Sequence, residues 1–172
     1  MPGSTGEIGA GGEYAVPRVP ASAGALIFDC RGRLLILKPT YKSGWTIPGG
    51  VMEADGETPW QACQREVREE CGLDVGSGRL VCTDFRLPTQ CNPGGIRFLF
   101  DCGELGDSAF TAVVLQAEEI AEHRLLPLAD ALPLLRKPIR LRIRAVRKRN
   151  GAPRKHAIVY LENGRPPVTR TH

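Results

Sequence analysis

The sequence contains no apolar run approaching the length of about 20 residues that a helix needs to cross a bilayer. Its first residues also lack the basic start and the apolar stretch of a secretory signal. The hydrophobic fraction of 42% and the charged fraction of 24% are those of an ordinary globular protein. These features argue against a membrane protein and predict a cytoplasmic one. The 172 residues are enough for one domain with a proper core.

Cysteine and histidine patterns that would bind zinc are missing. None of the six cysteines forms a C-x-x-C pair, and the three histidines do not cluster with them. Because no export signal is present, the even number of cysteines does not indicate disulfides. We expect buried, reduced thiols that pack as small apolar side chains. The cysteines are Cys30, Cys63, Cys71, Cys82, Cys91 and Cys102.

Acidic residues are absent from the segment 131–161, which carries ten of the 23 lysines and arginines. The rest of the chain has 13 basic against 19 acidic residues, which is a net charge of −6. An acidic body suits a site that holds divalent cations. The basic segment can face an anionic substrate or nucleic acid, or it can form a solubilising helix face. The charge pattern alone leaves these alternatives open.

Apolar periodicity and turn residues predict several strands around one clear helix. Residues 1–22, rich in Gly, Pro, Ser and Ala, are typical of a flexible tail, followed by a domain at 23–162 and a C-terminal tail at 163–172. Strands are predicted at 24–28, 33–38, 45–47, 79–87, 96–102, 110–115 and 157–161. A weak helix is predicted at 128–135, and 138–149 fits either a strand or a helix. This order of elements predicts a mixed α/β layered fold.

The clearest predicted helix spans residues 57–71. Thr58 is a typical N-cap, Pro59 is tolerated in a first helical turn, and Gly72 is a typical terminator. At about 100° per residue, one apolar face of this helix is formed by Trp60, Cys63, Val67 and Cys71. The helix therefore has a side that it can bury against a core.

Three carboxylates mark a different face of the same helix. Glu66, Glu69 and Glu70 are spaced i, i+3 and i+4, so their side chains share one surface. Like charges at this spacing repel, and a cation would relieve the cost; hard oxygen ligands suit Mg²⁺ or Mn²⁺ rather than zinc. A solvated helix in which Arg65 and Arg68 pair with these glutamates is the alternative, and the helix alone does not exclude it.

The residues around this helix resemble the Nudix box. In that box Gly, five residues, Glu, seven residues and then R-E-apolar-x-E-E-x-G-apolar follow one another. Here seven residues separate Glu57 from Arg65, and the segment 65–73 matches every specified position. The preceding segment 45–50, W-T-I-P-G-G, is also similar to the usual lead-in of the family.

One position departs from the family pattern. Six residues rather than five separate Gly50 from Glu57. The resemblance implies that the backbone carbonyl of Gly50 helps to ligate metal, and the extra residue bears on that role. A loop bulging at Asp55 and Gly56 can absorb it, since glycine permits unusual backbone conformations.

The resemblance also implies roles for the other residues of the box. Glu69 and Glu70 would be the main metal ligands, and Glu66 would be a further ligand or the general base. Glu57 would be an additional ligand or would support the ligands. Arg65 would hold the glutamates by ion pairs.

Residues outside the box complete the predicted site. In this family a glutamate from a later loop can act as the base, and Glu119, next to Glu118, lies in a suitable place for that work; exposed loop acids are the alternative. Lys38, Lys42 and Arg97 lie on or beside predicted strands near the site. They are candidates for contacts with phosphate groups, with solvated surface residues as the alternative.

The resemblance implies a Nudix-type α/β/α sandwich with a mixed β-sheet between helices. The implied function is Mg²⁺- or Mn²⁺-dependent hydrolysis of a diphosphate linkage in a nucleoside diphosphate linked to another moiety, such as a nucleotide or ADP-ribose. The alternatives are a Nudix-fold regulator that binds nucleotide or RNA, and an RNA-end pyrophosphohydrolase. A small phosphorylated metabolite is thus the favoured partner, ahead of nucleic acid, and a membrane partner is not expected. A homodimer is left open.

Overall fold

The computed structural model describes residues 18–150 and 157–167. Within these residues no helix has the length and apolar character needed to cross a membrane. The strands are β1 (Ala21–Asp29), β2 (Leu34–Pro39), β3 (Gly49–Val51), β4 (Arg79–Arg86), β5 (Gly95–Leu105), β6 (Ile120–Leu126) and β7 (Val159–Glu162). The helices are α1 (Pro59–Cys71), α2 (Asp107–Thr111), α3 (Leu128–Leu134) and α4 (Lys137–Asn150).

The strands form one mixed sheet with β1 near its centre. The strand order is β6-β2-β1-β5-β4-β7, and β3 pairs with β1 beside this path. β1 runs antiparallel to β2 and β3 but parallel to β5, and β7 joins the edge parallel to β4. In the β1–β3 pair, Ala23 lies opposite Gly50 and Gly24 lies opposite Gly49. The glycine pair is therefore fixed against the central strand.

Helices cover both faces of the sheet. On one face Ile27 packs in the same buried cluster as Val67 of α1. On the other face Leu26 packs in the same cluster as Ile143 of α4. Adjacent residues of β1 serve opposite clusters because side chains alternate along a strand. This arrangement confirms the predicted α/β/α sandwich with a mixed sheet.

Two of the predicted strands were wrong. Residues 110–115 form the end of α2 and an irregular segment, and Phe110 packs against the α1 side of the core without strand pairing. Residues 45–47 make isolated bridges to β2 and to Leu135, and the regular strand comes later as β3. Residues 45–47 are buried by tertiary packing, whereas in 110–115 only some apolar side chains pack against the core and Val114 is 70% exposed. The local apolar pattern does not distinguish either case from a strand.

Two other elements depend on partners distant in sequence. β6 was not predicted, because charged residues interrupt its apolar pattern; it forms by antiparallel pairing with β2. The segment 138–149, which fitted either a strand or a helix, lies within α4. There Ile139, Ile143 and Val146 are buried at helical spacing.

The predicted domain limits stay predictions. Residues 1–17 and 168–172 lie outside the described residues. Among the residues that the structure does describe, Ala21 already pairs with β5, so the sheet begins before residue 23. At the other end the N–H of Gly164 donates to buried Asp84 at 2.8 Å, which ties the start of the predicted C-terminal tail to the sheet.

All six cysteines lie within the described residues and carry free thiols. Four are buried as predicted, whereas Cys30 and Cys91 are exposed. The thiol of Cys30 lies in a turn and donates to the carboxylate of Asp107 at 3.3 Å.

Candidate functional site

Helix α1 carries the predicted carboxylates, and local contacts fix both of its ends. The Thr58 hydroxyl accepts from the Gln61 N–H at 3.2 Å, and the Gln61 side chain accepts from the Thr58 N–H at 2.9 Å. This capping box satisfies two N–H groups that lack partners within the helix. At the other end Gly72 has a φ of 66°, and its N–H donates to the carbonyl of Arg68. The ends fix the rotation of the helix and hence the direction of its glutamates.

Glu66 and Glu70 pack against the glycine pair of β3. Glu70 is only 4% exposed and accepts a hydrogen bond from the Gly49 N–H at 2.8 Å. A Cβ atom at Gly50 would overlap the carboxylate of Glu66. A Cβ atom at Gly49, where φ is 141°, would lie 2.6 Å from the Cα of Gly24. Glycine is therefore needed at Gly49, because the backbones of β3 and β1 approach one another so closely, whereas a side chain at Gly50 would displace the carboxylate of Glu66.

Arg65 links three of the predicted carboxylates. Its Nε donates to Glu57 at 2.8 Å, and its Nη1 donates to Glu66 at 3.0 Å and to Glu69 at 2.8 Å. Its Nη2 donates to the second oxygen of Glu57 at 3.1 Å and to the carbonyl of Val51 at 3.0 Å. One guanidinium therefore bridges three carboxylates and the segment that leaves β3.

The loop between β3 and α1, which contains the extra residue of the box, is held by local hydrogen bonds. Asp55 accepts from the N–H of Glu57 at 3.0 Å, and the Glu57 carboxylate accepts from the N–H of Glu53 at 2.8 Å. Gly56 has a φ of 97°, which favours glycine. Residues 54–56 thus form a turn within this loop, and Glu57 still reaches Arg65.

The negative charge of this cluster is only partly neutralised. Burial, together with the charges of Glu66 and Glu119, raises the pKa of Glu70 to about 8. Burial also raises the pKa of Glu66, against the effect of Arg65. The pKa of Glu57, in contrast, is lowered by its hydrogen bonds from Arg65. A further positive charge near Glu66 and Glu70 would stabilise both carboxylates.

Glu119 lies in the turn before β6, next to the end of α1. The N–H of Gln116 donates to the carbonyl of Glu70 at 3.4 Å, and the N–H of Thr40 donates to the carbonyl of Glu119 at 2.8 Å. These bonds tie the turn to α1 and to the end of β2. The exposed carboxylate of Glu119 is close enough to raise the pKa of both Glu66 and Glu70.

A cavity of about 320 Å³ opens beside β3. Gly49 and Gly50 line it, so the cavity and the carboxylates of α1 meet at the same short segment. Other parts of its wall come from β1, β4, β5 and α4. Its charged lining residues are all basic: Lys42, Arg86, Arg97, Arg136 and Arg142.

The three residues predicted to bind phosphate lie in different places. Lys42 and Arg97 line the cavity. Lys38 is exposed on β2, with its Nζ 6.0 Å from the centre of the Trp45 ring, and it does not line the cavity. Its role in substrate binding stays a prediction.

Three arginines of the cavity were not predicted as site residues. Arg142 donates from Nε to fully buried Asp84 at 2.7 Å, and this contact anchors α4 to β4. Arg136 and Arg142 belong to the basic segment seen in the sequence, but only the packing of α4 on the sheet turns them into the cavity. Arg86 had no local signal, because its place follows from the pairing of β4 with β5.

A sequence profile of the NUDIX domain matches residues 18–147. The chain belongs to the Nudix family. It is 32% identical over 103 residues to an 8-oxo-dGDP phosphatase from Danio rerio, a match that covers 58% of this chain and 30% of that protein. It is 39% identical over 61 residues to an RNA pyrophosphohydrolase from Hydrogenovibrio crunogenus, covering 35% of this chain and 36% of that protein. The chain thus spans about a third of the length of these two curated relatives.

The Nudix fold is also seen in the comparison with solved structures. The crystal structure of a MutT protein from Methanosarcina mazei Go1 superposes with a TM-score of 0.67 at 24% sequence identity. The superposition covers 81% of this chain and 100% of that chain. This likeness shows the shared fold.

The Nudix box of this chain has the donor chemistry for a hard divalent cation. Its carboxylate oxygens are the ligands that Mg²⁺ and Mn²⁺ prefer, and Glu66 and Glu70 are incompletely neutralised. Within the described residues no three acidic, histidine or cysteine side chains are grouped as metal ligands. Arg65 instead holds Glu66 and Glu69. A divalent ion would therefore compete with Arg65 for these carboxylates.

Proposed function

We propose that this Nudix chain is a metal-dependent hydrolase that cleaves a diphosphate linkage in a nucleoside diphosphate linked to another moiety. The observation that carries the proposal is the meeting of two opposite charge clusters at β3. Partly neutralised carboxylates of α1 lie against Gly49 and Gly50, and the cavity lined by the same glycines has only basic charged residues. The names of the two curated relatives, a phosphatase and a pyrophosphohydrolase, support this class of reaction.

The acidic residues of the box would hold the metal. Glu69 and Glu70 are the proposed main ligands of Mg²⁺ or Mn²⁺, with Glu66, Glu57 and the carbonyl of Gly50 as further ligands. When bound, such an ion would neutralise phosphate charge and lower the pKa of a coordinated water. Of these groups, the fit is best supported at Glu70, which is buried and has a single backbone N–H as its donor among the described residues.

The remaining residues would bind the substrate and move the proton. The water oxygen forms a bond to one phosphorus, the bridging P–O bond breaks, and the leaving phosphate keeps the bridging oxygen. Glu66 or Glu119 accepts the proton of the water. Lys42 and Arg97 would hold phosphate oxygens from the cavity wall. Arg65 contacts carboxylates rather than reacting atoms, so it acts as a positioning residue.

The basic surface of α4 supports a second candidate, which is binding of RNA with or without hydrolysis of its end. The exposed residues Arg144, Arg147, Lys148 and Arg149 lie on this helix. The cluster of carboxylates on α1 favours hydrolysis, since binding alone gives no reason for such a costly arrangement. RNA binding through α4 would weaken steeply as salt concentration rises, because each phosphate contact releases a counterion.

A substrate panel tests the proposed reaction. The full chain is incubated with nucleoside triphosphates, ADP-ribose and related nucleoside diphosphate derivatives, isoprenoid diphosphates and 5′-triphosphorylated RNA, with Mg²⁺, with Mn²⁺ or with EDTA. We expect turnover of at least one substrate, and a loss of about a hundredfold or more in Glu69→Gln and in Glu70→Gln. Glu104→Gln is the matched control, since Glu104 is exposed near the opposite end of β5 from Arg97.

The outcomes separate the candidates. Full activity in the Glu69 and Glu70 variants, or turnover in EDTA, would contradict the mechanism. Tight binding of nucleotide or RNA without any turnover would favour the regulator.

A further inference from the structure

The cavity beside β3 carries more positive charge than a single diphosphate needs. Five basic side chains line it, and no aspartate or glutamate of the described chain does so. We call it the arginine cavity, defined by Lys42, Arg86, Arg97, Arg136 and Arg142. Two of these five, Lys42 and Arg97, already have a proposed role with the diphosphate.

Carboxylates of the described chain neutralise little of the positive charge of the arginine cavity. In the part of the chain that the structure describes, only Arg142 among the four arginines has a carboxylate partner, Asp84. Arg97 instead donates to the carbonyls of Gly94 and Ile96. Its pKa is lowered by burial and by the nearby charges of Arg142 and Arg86. The cavity is therefore a place where arginines repel one another, and an anion would relieve that repulsion.

Arg86, which also lines the cavity, has an unsatisfied hydrogen-bond donor. Its Nε atom is buried and has no hydrogen-bond acceptor among the described residues. A buried donor without a partner is costly, and an anionic oxygen is the acceptor that compensates a guanidinium most strongly. Arg86 lies on β4, beside Asn92 and Arg97 in the cavity lining.

The cavity is poorly suited to a nucleobase. Phe98 is the one aromatic residue in its described lining, and Trp45 is buried in the core instead. Aromatic faces are the usual means of holding a base. The volume of about 320 Å³ also lies at the small end of the range of about 300–1,000 Å³ for ligand pockets. These properties favour a small group of high negative charge.

We infer that the arginine cavity binds a second phosphate of the substrate, which is carried by its nucleoside end and is separate from the diphosphate that is cut. The inference rests on the proposed function, because that function places the cleaved diphosphate at the carboxylates of α1. The glycines of β3 touch these carboxylates and also line the cavity, so the two places adjoin the same short segment. The inferred ligand would extend from one place to the other. Arginine suits this task, since its planar group donates two parallel hydrogen bonds to phosphate oxygens.

Two kinds of substrate share this chemistry. The second phosphate can be a monoester on the ribose of a small nucleotide, or it can be the phosphodiester that continues an RNA chain. The monoester has three non-bridging oxygens and the diester has two, so each can accept two hydrogen bonds from one guanidinium. The test below includes one arm for each.

Binding is measured by titration calorimetry on the full chain in EDTA, so that no turnover occurs. The reference ligand is adenosine 5′-monophosphate, with one phosphate. The monoester arm uses the 2′,5′- and 3′,5′-bisphosphates of adenosine, and the diester arm uses the 5′-phosphorylated dinucleotide pApA. The guanosine counterparts are run in parallel. We expect at least one ligand with a second phosphate to bind about tenfold more tightly or more, and the better arm identifies the source.

Variants of the cavity arginines test whether the preference for a second phosphate arises in the arginine cavity. Arg86→Gln and Arg136→Gln should each bring the Kd for the second-phosphate ligand close to that for the monophosphate. Arg144→Gln is the control, since Arg144 is exposed on α4 and does not line the cavity. Thermal melts would detect a failure of Arg86→Gln to fold. Arg136 is exposed, so Arg136→Gln keeps the test decisive in that case.

Each outcome is decisive. Equal affinity for mono- and bisphosphates would overturn the inference, and so would a preference that survives in both arginine variants. Turnover of the substrate panel without a preference for a second phosphate would refute the cavity inference alone. The expected preference in a chain that hydrolyses nothing would refute the proposed function alone.

Discussion

Replacing Arg65 with methionine should destabilise the fold far more than the same change at Arg68 on the same helix. Arg65 is 22% exposed, and its partners Glu57 and Glu66 are 8% and 13% exposed. Removing the guanidinium leaves two nearly buried carboxylates without their cation, and breaking a buried pair in this way costs about 3–5 kcal/mol. Because Arg65 keeps some contact with water, we expect the lower end, about 3 kcal/mol.

Arg68 provides a matched control. Its single ion pair with Asp74 has a distance of 2.9 Å, and the two side chains are 63% and 78% exposed. Exposed pairs contribute about 0–1 kcal/mol, so Arg68→Met should cost at most about 1 kcal/mol. Urea denaturation in EDTA measures both losses, and the m-values show whether the unfolding reaction is unchanged. In a thermal melt, a loss of 3 kcal/mol corresponds to roughly 6–12 °C for a chain of this size.

Added Mg²⁺ extends this test. A cation bound to the folded state stabilises it in proportion to the logarithm of its concentration, and it would neutralise carboxylates that Arg65 no longer reaches. We therefore expect Mg²⁺ to restore part of the stability of Arg65→Met and to change that of Arg68→Met no more than it changes the parent chain. Equal losses of under about 1 kcal/mol in the two variants would refute the view that Arg65 neutralises buried charge.

Two further predictions concern the glycine pair and the proposed base. Gly49→Ala would bring a Cβ atom to 2.6 Å from the Cα of Gly24, so we expect a loss of about 3 kcal/mol or failure to fold. Gly32→Ala, which has a positive φ but open space around it, should lose only about 1 kcal/mol; similar losses in urea would show that β1 and β3 are not tightly packed. If Glu119 is the base, Glu119→Gln should lower kcat by about a hundredfold, while Glu118→Gln stays within about twofold. A fully active Glu119→Gln enzyme would assign the base to the box.

Local signals were sufficient to predict α1 and its charged face. Thr58 and Gly72 stand next to the helix that they delimit, and their conformations depend on neighbours within a few residues. The spacing of Glu66, Glu69 and Glu70 then follows from helix geometry alone. The helix was predictable because the contacts that cap its two ends are short in sequence.

The arginine cavity was not predictable in the same way. Asp84 and Arg142 are 58 positions apart, and they meet only because α4 packs on the face of β4. β6 likewise depends on pairing with β2, which overrides its charged composition. The sequence thus indicated a basic segment but not the surface toward which its arginines turn.

Strand β7 and the residues after it affect the arginine cavity from a distance. β7 pairs with β4, Leu161 is fully buried, and the Gly164 N–H holds the same aspartate that anchors Arg142. The segment that includes β7 and Gly164 therefore supports Arg142, a residue of the cavity wall, through Asp84. These bonds do not involve helix α1. Exchange of the segment after α4 would therefore change the support of Arg142 in the cavity without changing the contacts of the carboxylates on α1.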